Sequence, residues 1–411
     1  MKRFLIGLGI TLLTLIAVAV IALTIFPPVL ELPKPSGSFA VGYLETTLTD
    51  ATRTMRGGEA RVISLDVWYP ASDATGLALE PYSDAALRTL LQEMQGVPAI
   101  GGNQPSHSAR DAPAAPGKHR VVIFNHGQGS FTKQNFSNME ELASHGYVVI
   151  SIGHPEESLL ARDASGANIV FNQSNEVYLR LKALQQNLKV TAKQLEVGYQ
   201  AQRDATTLMQ HSAASRQLAQ QAQYALLEQQ LQTWVRDTRF VMNSLRSGVK
   251  ALPFADPDGI VVSGHSLGGM VAFELARQPN AELRGIIALD APWIGAQPLR
   301  VPALVMASTE FNVASADLAL RSTFDLPLQN GAGAYLLEPS GAAHFNFTDL
   351  NYIPAIKLFS PVLGSVPATR MGALVNTALL EYLRRLEGDD FSKDLLPAQA
   401  GLRQVAFSAT P

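Results

Sequence analysis

The pattern of apolar positions alternates between the spacing of strands and the spacing of helices along most of the chain. Apolar runs of strand length occur at residues 120–125, 147–152, 259–262, 283–289, 301–308 and 334–338. Stretches with apolar residues at helical spacing separate them. Two earlier strand-like runs, at residues 42–48 and 61–69, are joined by a glycine turn and predict an antiparallel hairpin. Because strands and helices alternate afterwards, we predict an α/β protein with a doubly wound, mostly parallel sheet.

One helical segment, residues 173–247, interrupts this alternation. It is rich in Gln, Ala and Leu, lacks proline, and carries apolar stripes at helical spacing. A break near His211, with Ser212 as a helix N-cap, predicts an inserted hairpin of two long antiparallel helices projecting from the sheet. Its second helix leads into the strand at residues 259–262. Two roles are open: a cap over the active site, or a strut that binds a protein partner or a second copy.

The N-terminus predicts a membrane anchor. Lys2 and Arg3 precede an uncharged apolar stretch at residues 4–26. As a helix it spans roughly 34 Å, enough for a bilayer core of about 30 Å. We therefore predict a transmembrane signal anchor at residues 1–26 and an extracytoplasmic, periplasmic catalytic domain, since positive charges stay in the cytoplasm. The alternative is secretion after cleavage of a signal peptide.

The rest of the chain divides into a linker, one domain and a tail. The proline-rich residues 27–38 predict a short linker. Residues 39–390 form the predicted α/β domain, with the helical insertion inside it, and residues 391–411 a C-terminal tail.

Composition excludes several kinds of partner and site. A net charge of −3 argues against nucleic acid as a partner. The chain has no cysteine, which excludes disulfides, thiol nucleophiles and thiolate metal sites. Its 8 histidines show no spacing of metal ligands, so we predict neither a metal nor a cofactor.

The sequence GHSLGG at residues 264–269 carries the strongest chemical signal. It follows the apolar strand at residues 259–262 and precedes an amphipathic helix. A serine with a glycine two positions away on each side, between a strand and a helix, is typical of the nucleophile elbow of the α/β-hydrolase fold. The strained turn exposes the serine hydroxyl above the sheet. We predict Ser266 as the nucleophile.

The acid and the base should follow the serine in that order. His344 is the one histidine after Ser266 and is therefore the predicted base. Asp290 directly follows the strand at residues 283–289 and is the predicted acid; Glu310, after the next strand, is the alternative. In these roles His344 takes the proton from the serine hydroxyl, and the carboxylate fixes the tautomer of the imidazole.

The oxyanion of the tetrahedral intermediate needs two hydrogen-bond donors. One is the backbone N–H of Leu267, which follows the nucleophile. The loop after the strand at residues 120–125 begins with His126 and Gly127, and we assign the second N–H to Gln128. We expect His126 and His265 to hydrogen-bond locally rather than to do chemistry.

Several segments together resemble the plasma-type platelet-activating factor acetylhydrolases and the bacterial esterases and polyester hydrolases similar to them. The matching segments are DVWYP at residues 66–70, FNHG at 124–127, LASHGY at 142–147, GHSLGG at 264–269, ALDA at 288–291 and HFNF at 344–347. The resemblance implies a triad of Ser266, Asp290 and His344. It also implies oxyanion donors at Leu267 and Gln128. Members cleave short or oxidised acyl chains from lipids, or small esters, without calcium.

We predict a serine carboxylic ester hydrolase that acts through an acyl-enzyme on short-chain or lipid-like esters. The helical insertion and the membrane anchor depart from the family pattern and leave the acyl-chain preference open. An amidase, a peptidase or an acyltransferase would use the same triad. An inactive membrane-anchored scaffold that binds a partner through its long helices is the alternative from a different class.

Overall fold

The computed structural model describes residues 30–95, 105–186, 197–279, 282–295, 297–310, 324–353, 363–388, 391 and 393–408. Across these ranges, none of the helices combines the length and the apolar character that crossing a membrane requires. The predicted anchor at residues 1–26 lies outside them.

The predicted strand-length runs form strands of one large sheet. The strands are β1 (Ala40–Thr54), β2 (Ala60–Ala71), β3 (Leu79–Pro81), β4 (Pro105–Arg110), β5 (His119–Asn125), β6 (Val148–Gly153), β7 (Leu160–Arg162), β8 (Asn168–Val170), β9 (Ala255–His265), β10 (Leu283–Leu289), β11 (Ala303–Met306), β12 (Ala334–Pro339) and β13 (Leu402–Phe407). In the described part of the chain the sheet has 11 strands in the order β13-β12-β11-β10-β9-β5-β6-β2-β1-β4-β3, and β7 and β8 pair separately.

The centre of the sheet is parallel, as predicted. Strands β6, β5, β9, β10, β11 and β12 run in the same direction. The predicted opening hairpin is present as the antiparallel pair β1 and β2. The register places Gly264 beside Asn125, and His265 beside Leu289. The loops that follow these three strands therefore meet at one edge, where ligands bind in open α/β sheets.

Helices cover both faces of the sheet. They are α1 (Ala85–Gln95), α2 (Phe136–Ser144), α3 (Glu176–Gln186), α4 (Leu208–Ala219), α5 (Ala222–Ser247), α6 (Leu267–Arg277), α7 (Asp325–Gln329) and α8 (Ala368–Gly388). In β5, Val121 and Ile123 pack in one core with residues of α5 and α6, whereas Val122 and Phe124 pack in a second core with residues of α2 and α8. Since both faces of the strand are buried, the strand is apolar at nearly every position.

The helical insertion is not the predicted pair of long projecting helices. Thr207, not Ser212, caps α4, and it forms a capping box with Gln210. His211 and Ser212 lie inside α4 and are buried. Helix α5 does lead into strand β9, but its apolar stripe packs against the sheet and α6. The continuous stripe explains this: buried against the core, it stabilises the domain, whereas in a projecting arm much of it would face water.

The C-terminal segment, predicted as a tail at residues 391–411, contains a strand of the sheet. Residues 402–407 form β13, which pairs antiparallel with β12. Arg403 also forms an ion pair with Glu338 of β12. The strand covers an edge whose backbone N–H and C=O groups would otherwise lack partners. The domain therefore extends beyond residue 390.

Candidate active site

Ser266 lies in a strained turn between β9 and α6. Its φ of 54° and ψ of −118° fall outside the regions that non-glycine residues favour. A Cβ on Gly264 would overlap the backbone of Gly268, and a Cβ on Gly268 would overlap the backbone of Asn125. Both glycines are therefore required by the close crossing of strand, helix and neighbouring loop. Ser266 is partly exposed in this turn, while the residues on either side of it are buried.

Asp290 and His344 form a hydrogen-bonded pair next to this turn. The His344 Nδ1 lies 2.6 Å from Asp290 Oδ2, and Asp290 is fully buried. The second carboxylate oxygen, Oδ1, accepts a hydrogen bond of 2.6 Å from the Ser308 N–H. Burial alone would raise the pKa of Asp290, but the hydrogen bonds from His344 and Ser308 hold this pKa below its usual range. The ionised carboxylate favours the tautomer that carries hydrogen on Nδ1, so Nε2 can accept a proton.

Backbone contacts tie this pair to the turn of Ser266. The Ser266 N–H donates to the carbonyl of Leu289, the residue before Asp290, over 2.9 Å. His265 donates from Nε2 to the backbone carbonyl of His344 over 3.0 Å. The two imidazole rings, of His265 and His344, have centroids 4.5 Å apart. The three predicted triad residues are thus gathered at one sheet edge although they lie far apart in sequence.

His265 is placed to hold the loop of His344 rather than to exchange protons. Burial and the neighbouring His344 lower the pKa of His265 to about 3, so its ring is neutral near pH 7. Its hydrogen bond to the His344 carbonyl requires the hydrogen on Nε2. This agrees with the predicted local hydrogen bonding of His265.

The alternative acid, Glu310, faces a different segment. Its carboxylate accepts hydrogen bonds from the backbone N–H and the hydroxyl of Ser365, which precedes α8. His344 Nδ1, by contrast, contacts the Asp290 carboxylate. Of the two carboxylates that follow strands β10 and β11, Asp290 is therefore the one that orients the imidazole.

Leu267 and the loop that carries Gln128, the two predicted sources of oxyanion donors, lie next to Ser266. Leu267 is the first residue of α6, where backbone N–H groups have no partner within the helix. Gly127, just before Gln128, lies against the serine, because a Cβ built on it would be 3.6 Å from the Ser266 Cβ. The Gly127 N–H donates to Gln134 Oε1 over 2.8 Å. The loop that carries Gln128 is thus fixed beside the nucleophile.

The sequence did not predict three groups that support the site: two side chains and one backbone N–H. Gln134 fixes the Gly127 N–H, the Ser308 N–H binds Asp290, and Ser158 contacts His126 Nε2 at 2.6 Å. Each reaches its partner across loops, and no local pattern in the sequence distinguishes these residues. The pairing of β10 with β11 brings Ser308 to Asp290, whereas Gln134 folds back onto Gly127 within one loop.

Within the ranges that the structure describes, no group of three or more His, Asp or Glu side chains could hold a metal ion. The prediction that catalysis uses neither a metal nor a cofactor stays a prediction.

The chain is similar in sequence to platelet-activating factor acetylhydrolases. The sequence profile of the family described as "Platelet-activating factor acetylhydrolase, isoform II" matches residues 25–395. Platelet-activating factor acetylhydrolase of Cavia porcellus is 23% identical over 385 residues, which cover 88% of this chain and 79% of the relative. The enzyme of the same name from Bos taurus is 24% identical over 281 residues, which cover 65% of this chain and 57% of the relative.

A solved structure with a similar fold is the ferulic acid esterase from Streptomyces cinnamoneus. The TM-score is 0.64 at 20% sequence identity, and the match covers 91% of this chain and 98% of that chain. At this identity the likeness establishes a shared fold, in agreement with the predicted α/β-hydrolase architecture. The profile match extends over most of the chain and confirms the family resemblance seen in the sequence motifs. The chain belongs to the platelet-activating factor acetylhydrolase isoform II family and is a carboxylic ester hydrolase.

Proposed function

We propose that this enzyme hydrolyses esters through an acyl-enzyme on Ser266, with His344 as the base and Asp290 as the acid. The observation that carries the proposal is the 2.6 Å contact between His344 Nδ1 and the buried Asp290 carboxylate, at the sheet edge that holds the strained serine. With the hydrogen of His344 on Nδ1, toward Asp290, Nε2 is the nitrogen that receives the serine proton.

The chemistry proceeds in two halves. His344 Nε2 takes the proton from Ser266 Oγ as that oxygen attacks the ester carbonyl carbon. The N–H groups of Leu267 and Gln128 stabilise the oxyanion. Collapse of the intermediate breaks the bond to the alcohol, which leaves with the proton from His344. His344 then takes a proton from water, whose oxygen attacks the acyl carbon of the acyl-enzyme. The bond to Ser266 Oγ breaks, Oγ regains a proton from His344, and the carboxylic acid is released.

The substrate class that we propose is short-chain or lipid-like esters. Platelet-activating factor acetylhydrolases are the curated relatives, which favours this class. A cavity of about 540 Å³ has Gln128 in its wall, together with Gln230, Thr233 and Glu157. The lining is mainly polar and includes none of Ser266, Asp290 and His344, so the cavity suits a hydrophilic part of the ester beside the nucleophile better than a long acyl chain.

We also propose that residues 1–26 anchor the catalytic domain outside the cytoplasm. The two basic residues before the apolar stretch support this orientation. A lipid-like ester would then be hydrolysed close to the bilayer. Cleavage of the segment, with secretion of the domain, is the alternative.

The serine assignment is tested with Ser266→Ala. We expect hydrolysis of p-nitrophenyl acetate to fall by roughly 10⁴-fold or more and covalent labelling by a fluorophosphonate to be lost, because the attacking oxygen is gone. Ser165→Ala, in an exposed turn, is the matched control and should keep both. Fluorophosphonate labelling of the Ser266→Ala protein at another residue would reject the assignment.

A further inference from the structure

Three residues on one face of helix α5 contact the loop that carries Gln128. The Gln128 side chain donates to Gln230 Oε1 over 2.9 Å. The ring of Trp234 lies 4.9 Å from the ring of His126 at an interplanar angle of 74°. Thr238 Oγ1 donates to Asn125 Oδ1 over 2.9 Å. The helix positions 230, 234 and 238 are spaced by four, so they lie above one another on one face and follow the loop in reverse order.

His126 sits at the middle of this contact and holds the backbone of the next residue. Its Nδ1 lies 2.7 Å from the Gly127 carbonyl oxygen, and its Nε2 lies 2.6 Å from Ser158 Oγ. Burial and the nearby His154 lower the pKa of His126 to about 3, so the ring is neutral near pH 7. A carbonyl oxygen only accepts, so Nδ1 carries the hydrogen and the Ser158 hydroxyl donates to Nε2.

This hydrogen bond sets the direction of the peptide between Gly127 and Gln128. In a trans peptide the C=O and the following N–H point in opposite directions. The Gly127 carbonyl points to His126 and also accepts from the Ser130 N–H over 3.1 Å. The Gln128 N–H is therefore directed away from His126. Since Gly127 lies against Ser266, a rotation of this one peptide would exchange an N–H for a carbonyl near the nucleophile.

Trp234, which contacts His126, is fixed by contacts of its own. It is fully buried and stacks on His154 with centroids 4.0 Å apart and an interplanar angle of 8°. Its indole N–H donates to Glu157. His154 Nδ1 lies 2.9 Å from the buried Asp237 of the same helix, which also pairs with Arg61. These contacts attach helix α5 to strand β2 and to the segment that follows strand β6.

We propose that helix α5 of the insertion positions the second oxyanion donor, the N–H of Gln128. His126 is the positioning residue that holds the Gly127–Gln128 peptide. Trp234 contacts His126, and Gln230 binds the Gln128 side chain. The assignment rests on the proposed role of Gln128 in ester hydrolysis. The insertion then stabilises the transition state without touching the substrate, because the N–H that it orients binds the developing negative charge.

Three substitutions of His126 separate the roles of its ring nitrogens. In His126→Asn the amide nitrogen stands near the position of Nδ1 and can still donate to the Gly127 carbonyl. In His126→Gln the amide stands near Nε2 and keeps only the partner Ser158, and His126→Leu keeps neither. For p-nitrophenyl acetate we expect kcat to fall about 10- to 100-fold in the Gln and Leu variants and less than about fivefold in the Asn variant, with KM nearly unchanged.

A tetrahedral inhibitor distinguishes positioning from general stability. A trifluoromethyl ketone forms a hemiketal whose oxygen occupies the oxyanion position, so its affinity should fall across the His126 variants by the same factors as kcat/KM. A merely structural role would lower Tm but leave kcat, counted per fluorophosphonate-titrated site, and the inhibitor affinity unchanged.

The role of the helix is tested with Gln230→Ala. We expect kcat to fall about threefold to tenfold, because the Gln128 side chain loses its partner on α5. The matched control is Gln232→Ala, whose side chain bonds to Glu228 on its own helix and which should keep the kcat of the unaltered enzyme.

The outcomes separate this inference from the proposed function. Equal kcat in the His126→Asn and His126→Gln variants of similar Tm would overturn the role of Nδ1. A Gln230→Ala enzyme as active as Gln232→Ala would overturn the role of helix α5. If the unaltered enzyme hydrolyses no ester, or Ser266→Ala stays active, the proposed function fails and the inference fails with it. An active enzyme with unaffected His126 variants contradicts the positioning role alone.

Discussion

Asp290 and Ser266 share an unusual backbone feature. Their φ angles, 46° and 54°, are both positive, although neither residue is glycine. Such conformations cost free energy and persist where the surrounding structure fixes them, often at functional sites. Here the Ser266 N–H bonds to Leu289 and the Asp290 N–H bonds to Met306, each across neighbouring strands. The sheet register therefore maintains the strain at both residues.

Asp290→Asn should impair the enzyme far more than Glu310→Gln. An amide at position 290 would donate to His344 Nδ1, which places the imidazole hydrogen on Nε2 and removes the base. We expect kcat for p-nitrophenyl acetate to fall about 10³- to 10⁴-fold. Glu310→Gln is the control, since its contacts are with Ser365. A larger loss in Glu310→Gln than in Asp290→Asn would transfer the acid role to Glu310.

The apolar stripe of helix α5 explains why this helix packs against the core. Every residue of its stripe is buried: Tyr224, Leu227, Leu231, Trp234, Thr238, Val241 and Leu245. In α3, by contrast, Leu179 is 50% exposed. The two parts of the insertion therefore differ, because one belongs to the core and the other lies at the periphery.

The burial of α5 predicts the cost of removing one of its side chains. Leu231→Ala should lower the free energy of unfolding by about 2–5 kcal/mol, because it removes buried methyl groups and leaves a cavity. Leu179→Ala in α3 should change it by less than about 0.5 kcal/mol. Urea unfolding of the two variants provides the measurement. Equal small effects would indicate that α5 is a peripheral arm after all.

At the scale of the whole molecule, Leu30, within the segment predicted as a linker, belongs to the packed domain. Leu30 is buried in the same core as residues of α2 and α8. Ser36 and Gly37 bond to Glu141 and Ser144 of α2. The segment predicted as a linker at residues 27–38 is therefore partly attached to the domain.

Removal of residues 1–29 should leave a folded, active enzyme. The proposed catalytic residues and the partners that hold them all lie after residue 29, so we expect kcat/KM for p-nitrophenyl acetate to stay within about twofold of the full chain. The full chain should sediment with membranes and the truncated chain should not. The checks are activity and fractionation after expression of both forms. A truncated chain that still sediments with intact membranes would contradict the proposed anchor.

The sequence by itself determined the local features of this protein. The apolar runs located the strands of the parallel centre, the GHSLGG turn located the elbow at Ser266, and the chain order of Asp290 and His344 indicated the pair that the geometry joins. These features depend on periodicity and on turn chemistry, which act between residues close in sequence.

Only the tertiary structure decided how distant segments meet. The burial of α5 and the pairing of residues 402–407 with β12 depend on surfaces formed by other parts of the chain. The same is true of the contacts of His126 with Trp234 and Ser158. Nothing near these residues in the sequence specifies their partners, because the sheet register and the packing of α5 bring them into contact across long separations.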